Sequence, residues 1–227
     1  MILTKRIFLL IGFIFLVNNI VAGQTNNLGS WIIYFGNQKI NNKWNIQSDF
    51  QYRDYRILGQ RNQFLARAGL GYNLKAQNHN LLLGYAYVAS DSYDEFDLST
   101  GTKIENRIYE QYLYKNKIGS NSLTHRFRLE ERFFSSEFGL RGRYFISLQK
   151  PIWNKNATYL SMYNELFVDI KGAQFDRNRF YTGLGIGITE SLRIETGYMI
   201  QAQKNITRGQ IQLILFNNLP IKKKNKK

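Results

Sequence analysis

"THRFRLEERFF", residues 124–134, sets Arg126, Arg128, Glu130 and Arg132 at every second position, with His125, Phe127, Leu129 and Phe133 between them. Wound as a helix, the segment would smear its charge around the circumference. Extended as a strand, it puts nearly all of the charge on one side and apolar bulk on the other.

The alternation recurs along the chain. In 43–55, Trp44, Ile46, Phe50 and Tyr52 oppose Asn45, Gln47, Asp49, Gln51 and Arg53; in 63–74, Phe64, Leu70 and Tyr72 oppose Gln63, Arg67 and Asn73. Segments 140–150, 179–189 and 191–203 repeat it, with Arg141, Arg143, Arg179, Arg193 and Glu195 on the polar side. Strands are expected near 29–38, 43–55, 62–74, 80–90, 106–117, 123–134, 140–150, 158–169, 178–189, 191–203 and 207–217, and no segment reads as an amphipathic helix. These are eleven segments, whereas single-chain bacterial barrels usually have an even number. About twelve strands are therefore expected, with ten as the alternative.

Periodicity alone does not say which face is the core. A soluble sandwich buries the apolar faces together; a membrane barrel turns them to lipid and the charged faces to its lumen. Strand length favours the barrel. Thirteen residues at about 3.3 Å each, tilted by about 40°, rise roughly 33 Å, whereas globular strands average about 5–6 residues. The linkers also alternate, with short ones at 76–80, 119–121 and 189–190 and longer ones at 91–105 and 135–139. Trp44 and Trp153 fall near the short-turn ends, where an aromatic girdle belongs. The expected fold is all-β: an antiparallel up-and-down transmembrane β-barrel.

Composition agrees with export. Lys5 and Arg6 precede the apolar run 7–17, and Val21, Ala22 and Gly23 follow, the pattern of a signal peptide over 1–23. The barrel domain is expected over 24–221, with a basic tail at 222–227. The formal charge of +15 falls to +13 without the signal segment and to +8 without the five tail lysines. For an exported chain, this balance suits anionic lipid head groups better than nucleic acid, and no nucleic-acid partner is expected. The expected location is the outer membrane. The expected partners are its lipid and lipopolysaccharide, with the barrel assembly machinery during insertion. Cysteine is absent, which removes disulfides and thiolate metal sites.

In a barrel the 126–132 ladder points inward. A connection centred near 136–137 would place Glu130 opposite Arg143 and Arg132 opposite Arg141; a turn centred near Asn154 would place Arg143 opposite Glu165. Glu130, Arg143 and Glu165 then form a chain of alternating charge, with Glu110 a further candidate. The lumen network comprises Arg126, Arg128, Glu130, Arg132, Arg141, Arg143, Glu165, Arg179, Arg193 and Glu195. It either fills and stiffens the barrel or forms a basic constriction or binding surface for an anion. Gly183, Gly185 and Gly187 have strand spacing rather than that of a phosphate-binding loop, and read as small inward positions.

Catalysis finds little support. The two histidines, His79 and His125, are read as a turn residue and a lipid-facing residue, neither placed as the base of a Ser/His mechanism. Glu130, Glu165 and Glu195 offer carboxylates, but interleaved arginines keep such groups ionised. Asp91, Asp94, Glu95 and Asp97 lack calcium-loop spacing. No cofactor, metal or catalytic residue is assigned. A narrow pore for small anions, a lipid-modifying barrel and a soluble exported β-protein stay open as rivals.

The motifs "HRFRLEERF" (125–133), "RGRYFISLQKPI" (141–152), "NELFV" (164–168), "FDRNRFYTGLGIGI" (175–188) and "IETGYMIQ" (194–201) together resemble a family of uncharacterised bacterial outer-membrane barrels, domain of unknown function 2490. The resemblance runs from about Trp31 to about Phe216 and implies outer-membrane residence in a Gram-negative, Bacteroidota-like bacterium. It implies no activity and no site residues. The lysine tail departs from the usual barrel ending near an aromatic residue.

Overall fold

A computed structural model of the chain describes residues 28–74, 78–93, 99–153, 157–172 and 174–220. The signal segment, the lysine tail and the loop acids Asp94, Glu95 and Asp97 lie outside the described residues, as does the Trp153 side chain. The described elements are β1 (Gly29–Lys39), β2 (Trp44–Asp54), β3 (Arg61–Asn73), β4 (His79–Tyr93), β5 (Ser99–Ile118), β6 (Asn121–Phe133), β7 (Phe138–Trp153), β8 (Thr158–Asp169), β9 (Gln174–Gly187), β10 (Leu192–Gln203) and β11 (Thr207–Asn217). Each corresponds to one of the eleven alternating segments.

The strands pair in chain order and close into a barrel. Every neighbour is antiparallel except at the closure, where β1 and β11 run parallel from Gly29 opposite Gln210 to Gly36 opposite Asn217. Eleven strands thus lie within the expected range of about twelve. The odd count follows from that parallel seam. The seam is apolar on both sides: Ile33 and Ile214 pair on the buried side, Ile32 and Leu213 on the exposed side.

The ends of the barrel differ less than the sequence suggests. The linkers 40–43, 74–78, 119–120, 154–157 and 188–191 close what is here named the proximal end; 55–60, 94–98, 134–137, 170–173 and 204–206 close the distal end. The stretch 91–105, read as a long loop, is mostly strand. Asp91, Ser92 and Tyr93 extend β4, and 99–105 begin β5. Cross-strand bonding explains the extension, since Arg61 donates to Asp91 at 2.5 and 2.9 Å and the Thr102 hydroxyl donates to the same carboxylate at 2.7 Å. The 135–139 linker likewise shortens, because β7 begins at Phe138.

The period-two alternation divides inside from outside. Leu83, Phe127 and Leu184 face out and are more than half exposed, while Arg128, Glu130 and Arg143 face in and are buried. The interior is not uniformly polar. Trp31, Ile33, Tyr181, Met199 and Ile214 form an apolar cluster, with Phe35, Tyr163 and Phe216 packed against it. This cluster fills the sector of β1 and β8–β11. Buried charged side chains occupy the rest of the interior, from β2 and β3 round to β9.

Glycine makes close packing possible where tyrosine rings lie flat against the wall. A Cβ on Gly185 would run into the ring of Tyr159, its cross-strand partner. At Gly197 a Cβ would meet the Thr182 carbonyl and come 2.5 Å from the Gly183 Cα, backbone that has no rotamer by which to yield. Gly197→Ala is therefore expected to destabilise the barrel by about 1–3 kcal/mol, the usual cost of overpacking. A urea titration monitored by tryptophan fluorescence measures this, and an unchanged midpoint counts against the packing described here.

Candidate functional site

The charged sector is organised around Glu130, whose side chain has no solvent exposure. Arg143 Nη1 and Arg141 Nη2 each donate to it at 2.5 Å, and guanidinium nitrogens of Arg107 and Arg128 stand 3.7 Å away. Arg143 also donates to Glu165 at 2.6 Å, and Arg126 donates to the same Glu165 oxygen at 2.7 Å. Glu130, Arg143 and Glu165 thus meet, though not through the register expected. β6 and β7 pair Glu130 with Arg141 and Arg128 with Arg143, two residues off the sequence-based alignment. Between β7 and β8 Arg143 lies opposite Phe167, with a bulge between Pro151 and Trp153. The connection after β6 is tighter than assumed, which moves the register. The long guanidinium side chains span the diagonal.

The other candidate residues divide by sector. Arg132 donates to Glu105 at 2.5 Å, and Arg107 donates to Glu105 at 2.6 Å. Arg179 donates to Gln201 at 2.8 Å and lies 3.8 Å from Glu165. Arg193 sits apart, with Gln149 at 3.3 Å and its guanidinium 4.6 Å from the Phe216 ring. Glu195 is buried against Ser161, Tyr159 and Tyr181, with Arg193 acting on it through space. Glu110 does not join the network. It faces outward, exposed, between Leu83 and Leu129 on the neighbouring strands.

At the distal end of the charged sector is a cavity of about 250 Å³. Arg132, Arg141, Arg143 and Arg179 line it, joined by residues that the sequence reading left out of the site: Arg53, Arg67, Arg107, Arg177 and Lys103. Arg53 and Arg67 already lay on the polar side of their alternations. What hid them was that each stands alone on its strand rather than in a ladder. The cavity is backed by aromatic rings. Phe167 has the guanidinium carbons of Arg143 and Arg179 at 4.4 and 4.6 Å, and Trp31 has those of Arg53 and Arg179 at 4.0 and 4.8 Å. A ring this close to a guanidinium offsets part of the cost of its burial by cation–π attraction.

Among the described residues no group of His, Cys, Asp and Glu suits a metal ion. Both histidines stand on the outer face. His79, the first residue of β4 rather than a turn residue, shares a hydrogen bond of 2.6 Å with the Tyr112 hydroxyl. His125 shares one of 2.9 Å with the Tyr144 hydroxyl.

Removing one partner of a buried ion pair leaves the other charge uncompensated, at a cost of about 3–5 kcal/mol. Glu130→Gln is expected to destabilise the barrel by at least that much, because four guanidiniums face the lost carboxylate. Adding Arg143→Met should recover part of the loss. Urea unfolding of the single and double variants checks both, and additive losses would show that the two groups are not coupled.

The family model described as "Protein of unknown function (DUF2490)" matches residues 28–212, from just before β1 into β11. No curated protein matches the sequence. With most of its length, and nearly the whole barrel, covered by that one model, the chain belongs to the DUF2490 family.

Proposed function

We propose that this protein is an integral outer-membrane β-barrel with an occluded, arginine-rich lumen, reaching the membrane through the signal segment at 1–23. One observation carries the reading: the exposed face is an apolar belt bounded by aromatic residues, while the mid-barrel charges, Glu110 excepted, are enclosed. Toward the proximal end, Trp44 packs edge-on to Tyr72 at 4.8 Å. His79, Tyr114, His125 and Tyr144 continue as stacked rings along β4–β7. Tyr52, Phe133, Phe138 and Phe175 are exposed toward the distal end. Between these girdles stand Ile46, Leu70, Leu83, Ile108, Leu129 and Leu184, all exposed. Water would penalise such a surface over the whole circumference; hydrocarbon flanked by head groups is the solvent it matches.

The same interior disfavours a pore. Tyr181, Met199, Glu130 and Gln212 point inward and are fully buried, so side chains of both sectors fill the middle of the barrel. An enzyme is disfavoured because the histidines are engaged with tyrosines on the outer face and the central carboxylates are neutralised by arginine.

Cell fractionation should leave the protein in the detergent-soluble, carbonate-resistant membrane fraction, and recovery in the soluble periplasm would overturn the proposal. Phe127→Arg should destabilise the inserted barrel by about 2–4 kcal/mol, the cost of arginine on a lipid face near the midplane. Planar bilayers containing the protein should show no discrete channel openings; stable openings would replace the occluded lumen with a conducting one.

A further inference from the structure

Among the described residues, the cations lining the distal cavity outnumber the carboxylates they pair with. Nine cationic side chains line it. The ion pairs they make reach five carboxylates: Asp49, Glu105, Glu130, Glu165 and Asp176. Among the described residues the nine cations thus exceed their ion-paired carboxylates by four, one of the nine being the exposed Lys103, and Arg126 and Arg128 draw further on Glu165 and Glu130.

Two of the lining arginines carry this excess visibly. Arg53, only 7% exposed, donates to the side-chain oxygens of Gln51 and Gln63, both neutral. Arg67, 5% exposed, pairs with Asp49 through one nitrogen, and its other two nitrogens, Nε and Nη1, are buried without a partner. A buried guanidinium that keeps its charge needs an acceptor. For Arg53 the acceptors are neutral, and at Nε and Nη1 of Arg67 no described residue supplies one.

The geometry points to the distal cavity as a binding site for a small oxyanion carrying two or more negative charges, of the diphosphate or polycarboxylate kind. Its size admits such a molecule with little room to spare. Arginines arriving from β2, β3, β5, β6, β7 and β9 bring positive charge to it from separate directions, which suits a ligand with several charged oxygens better than a single carboxylate. Lys103, exposed at the distal side of the cavity, places a further positive charge on the approach. The site is part of the barrel interior whatever surrounds the outer face, so it does not rest on the membrane proposal.

The test uses the full-length barrel, folded in detergent micelles and checked by its heat-modifiable gel mobility. Pyrophosphate and citrate are titrated separately by calorimetry against chloride at matched ionic strength. The expected result is saturable binding of one ligand per barrel by at least one of the two; the preferred one identifies the phosphoryl or the carboxylate source. Arg53→Gln and Arg67→Gln should each weaken binding about tenfold or more, the effect of losing one charge-assisted hydrogen bond. Arg193→Gln, which removes the same charge from the lumen outside the cavity, should leave binding unchanged. Arg53 has no carboxylate partner, so its substitution keeps the test available should Arg67→Gln fail to fold. No saturable binding of either anion to the folded wild-type barrel overturns the assignment. So does an equal loss in Arg193→Gln, or chloride matching both anions.

Discussion

The carboxylate of Glu130 sits where four guanidiniums converge, with no access to water. Desolvating any one of these charges is unfavourable by several kcal/mol, and only close, hydrogen-bonded opposite charges offset it. The four arginines come from β5, β6 and β7, and Arg143 reaches onward to Glu165 on β8. One anion therefore ties together strands that backbone hydrogen bonds join only pairwise. It also fixes which face each strand turns inward. A slip of one residue would carry Glu130 to the outside and Leu129 or Glu131 into the guanidinium cluster.

That constraint explains why some parts of the fold were legible in the sequence and others were not. Ten of the eleven strands follow from period two, because every strand from β2 to β11 sets a bulky apolar face against a smaller or charged one. β1 is different. Trp31 and Ile33 face in while Ile32 and Tyr34 face out, so both sides are apolar and the alternation carries no signal. The facing of β5 was obscured by Glu110, a charge on the apolar side, and by Tyr109, an aromatic residue buried on the polar side. Register was out of reach because it depends on how tightly the chain turns. The β6–β7 connection is four residues, 134–137, and displaces Arg143 from Glu130 to Arg128. Arginine is long enough to absorb the difference, which is why the partners nevertheless meet.

The site was legible in proportion to how locally it is written. The ladder 126–132 announces itself on one strand. The cavity is assembled from cations on six strands, β2, β3, β5, β6, β7 and β9, together with Trp31 and Phe167, which a sequence reading treats as ordinary apolar residues. Only closure of the sheet brings Arg53 of β2 and Arg179 of β9 to the same indole ring, 4.0 and 4.8 Å from its centre.

The two halves of the interior also bear on what the charge is for. In the sector of β1 and β8–β11, Trp31, Ile33, Met199, Tyr181 and Ile214 fill the lumen without ion pairs. Apolar filling is thus available to this barrel, and buried ion pairs are commonly no more stabilising than well-packed apolar residues of the same size. A requirement to fill space does not by itself call for eleven inward arginines opposite so few carboxylates. If stiffness alone were required, the cations would be expected to match the acids in number, yet four guanidiniums face the single carboxylate of Glu130. At the distal cavity the excess meets open volume: Arg53 has only neutral partners there, and two nitrogens of Arg67 have none. A charge imbalance localised beside open volume is better accounted for by a ligand than by the wall.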